Sequence, residues 1–76
     1  MAIDAYVLID CSGDPEEILQ GVRAVEGVQA AHALFGDLDA IAVVQAESLV
    51  VLDRVIAGIN EVEGVEYTDT RIARPC

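Results

Sequence analysis

The sequence predicts a small α+β sandwich in the order β-α-β-β-α-β, with two helices on one face of a four-stranded antiparallel sheet. Three observations carry this reading. Apolar alternation marks extended runs, and apolar residues at helical spacing mark two segments between them. Val25-Glu26-Gly27-Val28 recurs as Val62-Glu63-Gly64-Val65, each time where a helical pattern hands over to an extended one, so the chain divides into two β-α-β halves of similar size. Gly36-Asp37-Leu38-Asp39 reads as a short turn joining two neighbouring antiparallel strands.

The elements follow in order. Residues 3–10 are rich in strand formers; Ile3, Ala5, Val7 and Ile9 share one face, and Tyr6 and Leu8 make the other face apolar too. A strand apolar on both sides is usually covered on both sides. Cys11-Ser12-Gly13 breaks the pattern. Asp14-Pro15-Glu16-Glu17 then starts a helix: Asp14 caps, Pro15 suits the first helical position, and Glu17 completes a capping-box-like pattern. Ile18, Leu19, Val22 and Val25 form one helical stripe, and Gly27 ends it. Val28 to Phe35 is the second extended run and residues 40–46 the third. Ser48 caps a second helix whose apolar face is Leu49, Leu52, Val55, Ile56, Ile59 and Val62, with Gly64 as terminator. Gly58 inside it costs about 1 kcal/mol relative to Ala. The last strand runs from Val65 to Ala73, and Pro75 ends any pairing. This order is that of the ferredoxin-like sandwich, of the dimeric α+β barrel type.

Length and composition bound the rest. Seventy-six residues make one domain, 1–76, and a chain this short buries only about 60–65% of its extended surface. Yet 54% of its residues are apolar and its mean hydropathy is +0.46, which excludes intrinsic disorder. The chain thus carries more apolar surface than a lone small core hides, and association with other copies is the expected outlet. Two helices cover one face of a four-stranded sheet; the other, also apolar, calls for a partner sheet, hence a homodimer.

The four cations are Arg23, Arg54, Arg71 and Arg74, against 14 acidic residues, for a net charge of −10. Such a surface repels phosphate backbones and anionic membranes, so neither nucleic acid nor membrane is an expected partner. An acidic, lysine-free chain suits a cytosol of very high salt, which hints at a halophilic source. No leader pattern or apolar run long enough to span a bilayer is present, and the expected location is cytoplasmic. Cys11 and Cys76 match no zinc spacing or disulfide framework and read as isolated thiols. No phosphate-cradling loop, metal-ligand cluster or cofactor motif is evident.

Several stretches, in this order, resemble a known family: Ala5-Tyr6-Val7-Leu8-Ile9, Val25-Glu26-Gly27-Val28 followed by Ala30 and His32, Gly36-Asp37-Leu38-Asp39, and Val62-Glu63-Gly64-Val65 with Thr68 and Thr70. They are similar to the effector-binding, or RAM, domain of Lrp/AsnC regulators, over Ala5 to Ile72. Those regulators carry an N-terminal helix-turn-helix domain, whereas here the RAM-like part begins almost at Met1. The resemblance therefore implies a stand-alone RAM protein to which DNA binding does not carry over. It also implies a dimer formed through the sheets, dimers assembling into octameric or similar rings, and a pocket where dimers meet, typically for an amino acid. The turn at Gly36, Asp37, Leu38 and Asp39 would border that pocket, with Thr68 and Thr70 near it.

The residues are chemically compatible with that role. Gly36 allows positive φ and close backbone approach. Exposed turn amides can hold an α-carboxylate, and Asp37 or Asp39 can accept from an α-ammonium. Thr68 and Thr70 share one strand face and offer hydroxyls. Each type is also ordinary where it stands, Gly and Asp in turns and Thr in strands. Outside this cluster, His32 has no evident nucleophile or metal beside it, which argues against a catalytic role. Tyr6 suits core or interface packing, and the acidic neighbours of Cys11 disfavour a reactive thiolate.

The leading expectation is a non-enzymatic amino-acid sensor and oligomerisation module that modulates transcription regulation. The alternative is a structural partner that co-assembles with full-length Lrp/AsnC regulators without its own ligand. A small dimeric α+β barrel enzyme ranks last; it would require convergent polar groups in a cleft within the protomer.

Overall fold

In the computed structural model, which describes residues 2–74, the chain forms β1 (Ile3–Cys11), α1 (Pro15–Arg23), β2 (Val28–Ala33), β3 (Ala40–Ala46), α2 (Leu49–Asn60) and β4 (Val65–Ile72). The expectations for Pro75 and Cys76 lie outside the described residues. The strands form one antiparallel sheet in the order β2-β3-β1-β4. Register partners share a face, so Ala5, Val7 and Ile9 of β1 stand beside Val44, Ala42 and Ala40 of β3 and beside Ile72, Thr70 and Thr68 of β4. This is the helix side. Ala5, Ala31, Ala40, Ala42 and Ala46 keep it flat, and Ile18, Leu19, Val22, Leu52, Val55 and Ile59 descend from the helices to fill the core. The predicted ferredoxin-like architecture is the one formed.

Each helix starts as predicted and stops early. The Asp14 carboxylate accepts from the Glu16 amide at 3.1 Å, and the Ser48 hydroxyl from the Val51 amide at 3.2 Å. The reciprocal bond of a capping box is not formed by Glu17. α1 ends at Arg23 rather than running to Gly27, and α2 ends at Asn60 rather than near Gly64. In both, tight turns carry the chain out: Val25 donates to the Val22 carbonyl and Val62 to the Ile59 carbonyl, each at 3.1 Å.

Packing explains these early exits. A Cβ on Gly21 of α1 would lie 2.8 Å from Val62 Cγ1, and one on Gly58 of α2 would lie 3.0 Å from Val25 Cγ1. The valine that leaves each helix thus seats on the glycine of the other. The Val-Glu-Gly-Val repeat is the sequence trace of an approximate two-fold within the chain, and Gly58 is a packing residue rather than a flaw in α2.

Two further expectations need correction. The second strand stops at Ala33, and Leu34 and Phe35 lie in the connection to β3, with Phe35 fully exposed. The reason is that the Leu34 amide donates to the Asp39 carbonyl at 2.8 Å, which folds the chain into the turn two residues before the apolar run ends. Leu49, assigned to the apolar face of α2, is the first residue of that helix and is 63% exposed; burial on this stripe starts at Leu52.

The face opposite the helices is open in the single chain. It carries Tyr6 and Leu8 of β1, Ile41 and Val43 of β3, and Ala30 and His32 of β2, all placed there by register. On β4 its outer margin is polar: the Arg71 guanidinium binds the Asp69 carboxylate at 2.8 Å, which holds the Asp69 carboxyl below its ordinary range. The apolar patch therefore runs along β2, β3 and β1, and on β4 the exposed Tyr67 shares the face with the ion pair.

Candidate functional site

The 34–39 connection is folded back on β1 by Asp39. Its amide donates to the Ile9 carbonyl at 3.1 Å, its carbonyl accepts from Leu34, and its carboxylate Oδ2 accepts from the Cys11 amide at 2.8 Å. The last β1–β3 pair is Ile9–Ala40, so the Cys11 amide points past the end of that ladder, and the Asp39 side chain supplies the missing acceptor. At the same point β1 shifts register against β4, between Asp10 and Cys11. The Asp39 bond to Cys11 therefore ties down a strand end that faces a bulge at Glu66 of β4 on its other side.

Gly36 has φ +122°, in the region that favours glycine, and a Cβ there would meet nothing within 4 Å. The turn is thus bare on its outer side: Phe35, Gly36 and Asp37 are exposed, and Leu38 is half-buried. Asp37 makes no hydrogen bond or ion pair among the described residues.

Asp10 closes β1 next to Asp39, and each carboxyl shifts the other's protonation. Hydrogen bonding from the Cys11 amide, and then from Asp10, holds the Asp39 carboxyl below its ordinary range. Donating to Asp39 raises Asp10, and the negative charges of Asp39 and Glu66 raise it further. Partial burial, and then the charges of Asp39, Asp10 and Glu66, push the Cys11 thiol up, as its acidic neighbours suggested.

The sequence-predicted site residues divide into two groups. Gly36, Asp37, Leu38 and Asp39 cluster with Asp10 and Cys11. Thr68 and Thr70 share a strand face as expected, but that face is the helix side, opposite Ile9 and Val7. The Thr68 hydroxyl donates to Asn60 Oδ1 at the end of α2, at 3.1 Å. Because β1 lies between β3 and β4, Thr68 is about 10 Å from the start of β3, two strand spacings away. Asp10 and Asn60 were not singled out from sequence. An aspartate closing an apolar strand and an asparagine closing an apolar helix are common end residues, and only the sheet order puts them beside the site.

Two grooves of the chain lie elsewhere and obey the internal two-fold. One, of about 580 Å³, is lined by Val25, Gly27, Val51, Arg54 and Val55; the other, of about 570 Å³, by Val62, Gly64, Asp14, Glu17 and Ile18. Arg54 in one takes the place of Glu17 in the other. Neither is lined by the 36–39 turn, so that turn presents an open surface on the single chain rather than an enclosed cleft.

Among the described residues no group of three or more His, Cys, Asp or Glu is placed to hold a metal ion, and no helix is long and apolar enough to cross a membrane. His32 stands exposed on the open sheet face, opposite Ile41.

Comparison with known proteins fits this geometry. The fold matches a small protein of Thermus thermophilus with TM-score 0.89 and 30% identity, over 97% of this chain and 95% of that one. It matches AsnC of E. coli with TM-score 0.87 and 19% identity, over 97% of this chain and 52% of that one. It also matches a feast or famine regulatory protein of M. tuberculosis complexed with L-methionine, with TM-score 0.82 and 18% identity, over 97% of this chain and 51% of that one. The chain thus spans about half the length of each of the last two regulators. No curated protein matches in a direct sequence comparison. The model of the Lrp/AsnC ligand binding domain matches residues 4–74, from the start of β1 to past the end of β4, and this chain belongs to that family.

Proposed function

We propose that this protein is a non-enzymatic, cytoplasmic amino-acid-binding module that self-assembles and thereby modulates transcription regulation without contacting DNA itself. The observation that carries the reading is the family match over nearly the whole chain. The methionine complex of the M. tuberculosis regulator supports an amino acid as the ligand class. The apolar open face of the sheet supports pairing of two copies through Tyr6, Leu8, Ile41 and Val43. The ligand lies against the turn at Gly36, Asp37, Leu38 and Asp39, where a second dimer completes the pocket, with Thr68 and Thr70 on the helix-side margin. The net charge of −10 supports the absence of a nucleic-acid partner.

A ligand held between dimers favours the assembly that completes its site, so binding and mass change together. Titration calorimetry with L-methionine and each of the other protein amino acids, with light scattering in parallel, tests this. The expected result is heat and a shift in mass with at least one amino acid. Neither heat nor mass change with any of them overturns the reading, and co-purification with a helix-turn-helix homologue would then support the structural-partner alternative.

A further inference from the structure

Of the two aspartates in the turn, one is bound into the fold through its side chain and the other is not. Asp39 already uses its amide on Ile9, its carbonyl on Leu34 and its carboxylate on Cys11, at 3.1, 2.8 and 2.8 Å. These bonds join the 34–39 connection to the end of β1, where the β1–β3 ladder has run out and β4 is bulged opposite at Glu66. Asp37, two residues earlier, is exposed and unpartnered among the described residues, next to a glycine at φ +122° with open space around it. We infer that Asp39 is a positioning residue that latches the turn to the Cys11 amide, and that Asp37 is the carboxylate that receives the ammonium group of the ligand. The inference rests on the assignment of this turn to amino-acid binding.

The two roles make opposite demands on charge. A latch to a backbone amide needs an acceptor in the right place, and an asparagine carbonyl provides one. The asparagine amide can also donate to the neighbouring Asp10 carboxylate, and it removes the repulsion between the two charges. A contact to an ammonium needs the negative charge itself. Asp39→Asn therefore keeps a latch and destroys an ion pair, whereas Asp39→Ala destroys both.

The test measures amide hydrogen exchange at Cys11 and calorimetric affinity for L-methionine in the full chain and in Asp39→Asn, Asp39→Ala and Asp37→Asn. Loss of a charge-assisted hydrogen bond corresponds to about a tenfold change. Asp39→Ala is expected to speed exchange at Cys11 about tenfold and to weaken binding about as much. Asp39→Asn is expected to restore both to within about threefold of the parent. Asp37→Asn is expected to weaken binding about tenfold with exchange at Cys11 unchanged. Unchanged Cys11 exchange in Asp39→Ala overturns the latch. Binding lost in Asp39→Asn with Cys11 still protected makes Asp39 a direct contact and overturns the division of roles. If the parent chain binds neither L-methionine nor any other amino acid, the proposed function fails, and the exchange measurement still decides the latch by itself.

Discussion

Asp10 and Asp39 are two like residues whose surroundings push them in opposite directions, one carboxyl raised and the other lowered. The consequences for stability have opposite signs. Asp39, lowered by the Cys11 amide, stabilises the fold at neutral pH, and that contribution is lost as acid takes the pH down through its lowered folded value. Asp10, raised by its bond to Asp39 and by neighbouring charge, favours the fold when protonated and withdraws that support as pH rises through its raised value. When both are ionised they repel each other, and Glu66 adds to the repulsion. Asp10→Asn is therefore expected to raise the urea midpoint at pH 7, because its amide donates to Asp39 without a charge. The gain should shrink as pH falls through the raised Asp10 value, where the parent carboxyl takes up a proton. A gain that stays level across that range would show that the pair is not coupled. Sequence placed both residues at the ends of apolar runs, but each had several equivalent acidic neighbours. Their pairing is a product of antiparallel register between β1 and β3, across about thirty residues of chain.

At the scale of the element, the two helices are held by reciprocal valine-on-glycine contacts. Glycine to alanine inside a helix normally stabilises by roughly 0.5–1 kcal/mol. Here the new Cβ of Gly21→Ala would meet the stiff, branched side chain of Val62 at 2.8 Å, and that of Gly58→Ala would meet Val25 at 3.0 Å. Each substitution is expected to cost about 1–3 kcal/mol instead, as overpacking does. In a Val62→Ala background the cost of Gly21→Ala should largely vanish, which a double-mutant cycle followed by thermal unfolding measures directly. Additive effects would place the valine elsewhere. The same contacts account for what was legible in these elements. Helix starts were readable, since Asp14 and Ser48 act on amides two or three residues away. Helix ends were not, since Val25 and Val62 leave the helix to reach glycines far away in the chain, Gly58 and Gly21.

At the scale of the whole molecule, the chain combines an apolar open sheet face with a net charge of −10. Burying Tyr6, Leu8, Ile41 and Val43 against a second copy favours assembly, while like charge opposes it and salt screens that opposition. The expected behaviour in analytical ultracentrifugation is a dimer or larger species that strengthens as salt rises. Leu8→Glu, which puts a charge in the middle of the face, should return the chain to its 8.1 kDa monomer with its far-ultraviolet spectrum intact. A parent chain that is monomeric at micromolar concentration in concentrated salt, or a Leu8→Glu chain that assembles like the parent, would remove the open face as an interface.

The order of elements, their alternation, the internal repeat and the span of β3 were readable in the sequence, because they depend on contacts among residues near in the chain and on patterns of period two or 3.6. So was the presence of a second apolar face, since Tyr6 and Leu8 alternate with the core residues of β1. What the tertiary structure decided was everything that depends on which strands become neighbours. The order β2-β3-β1-β4 set Asp39 against Asp10 and the Cys11 amide, turned Thr68 and Thr70 to the helix side, ended β2 before Phe35 and gave Gly58 its purpose. Hydrogen bonds and steric contacts act over a few ångströms, and a linear pattern carries no record of which distant residues will come within that range.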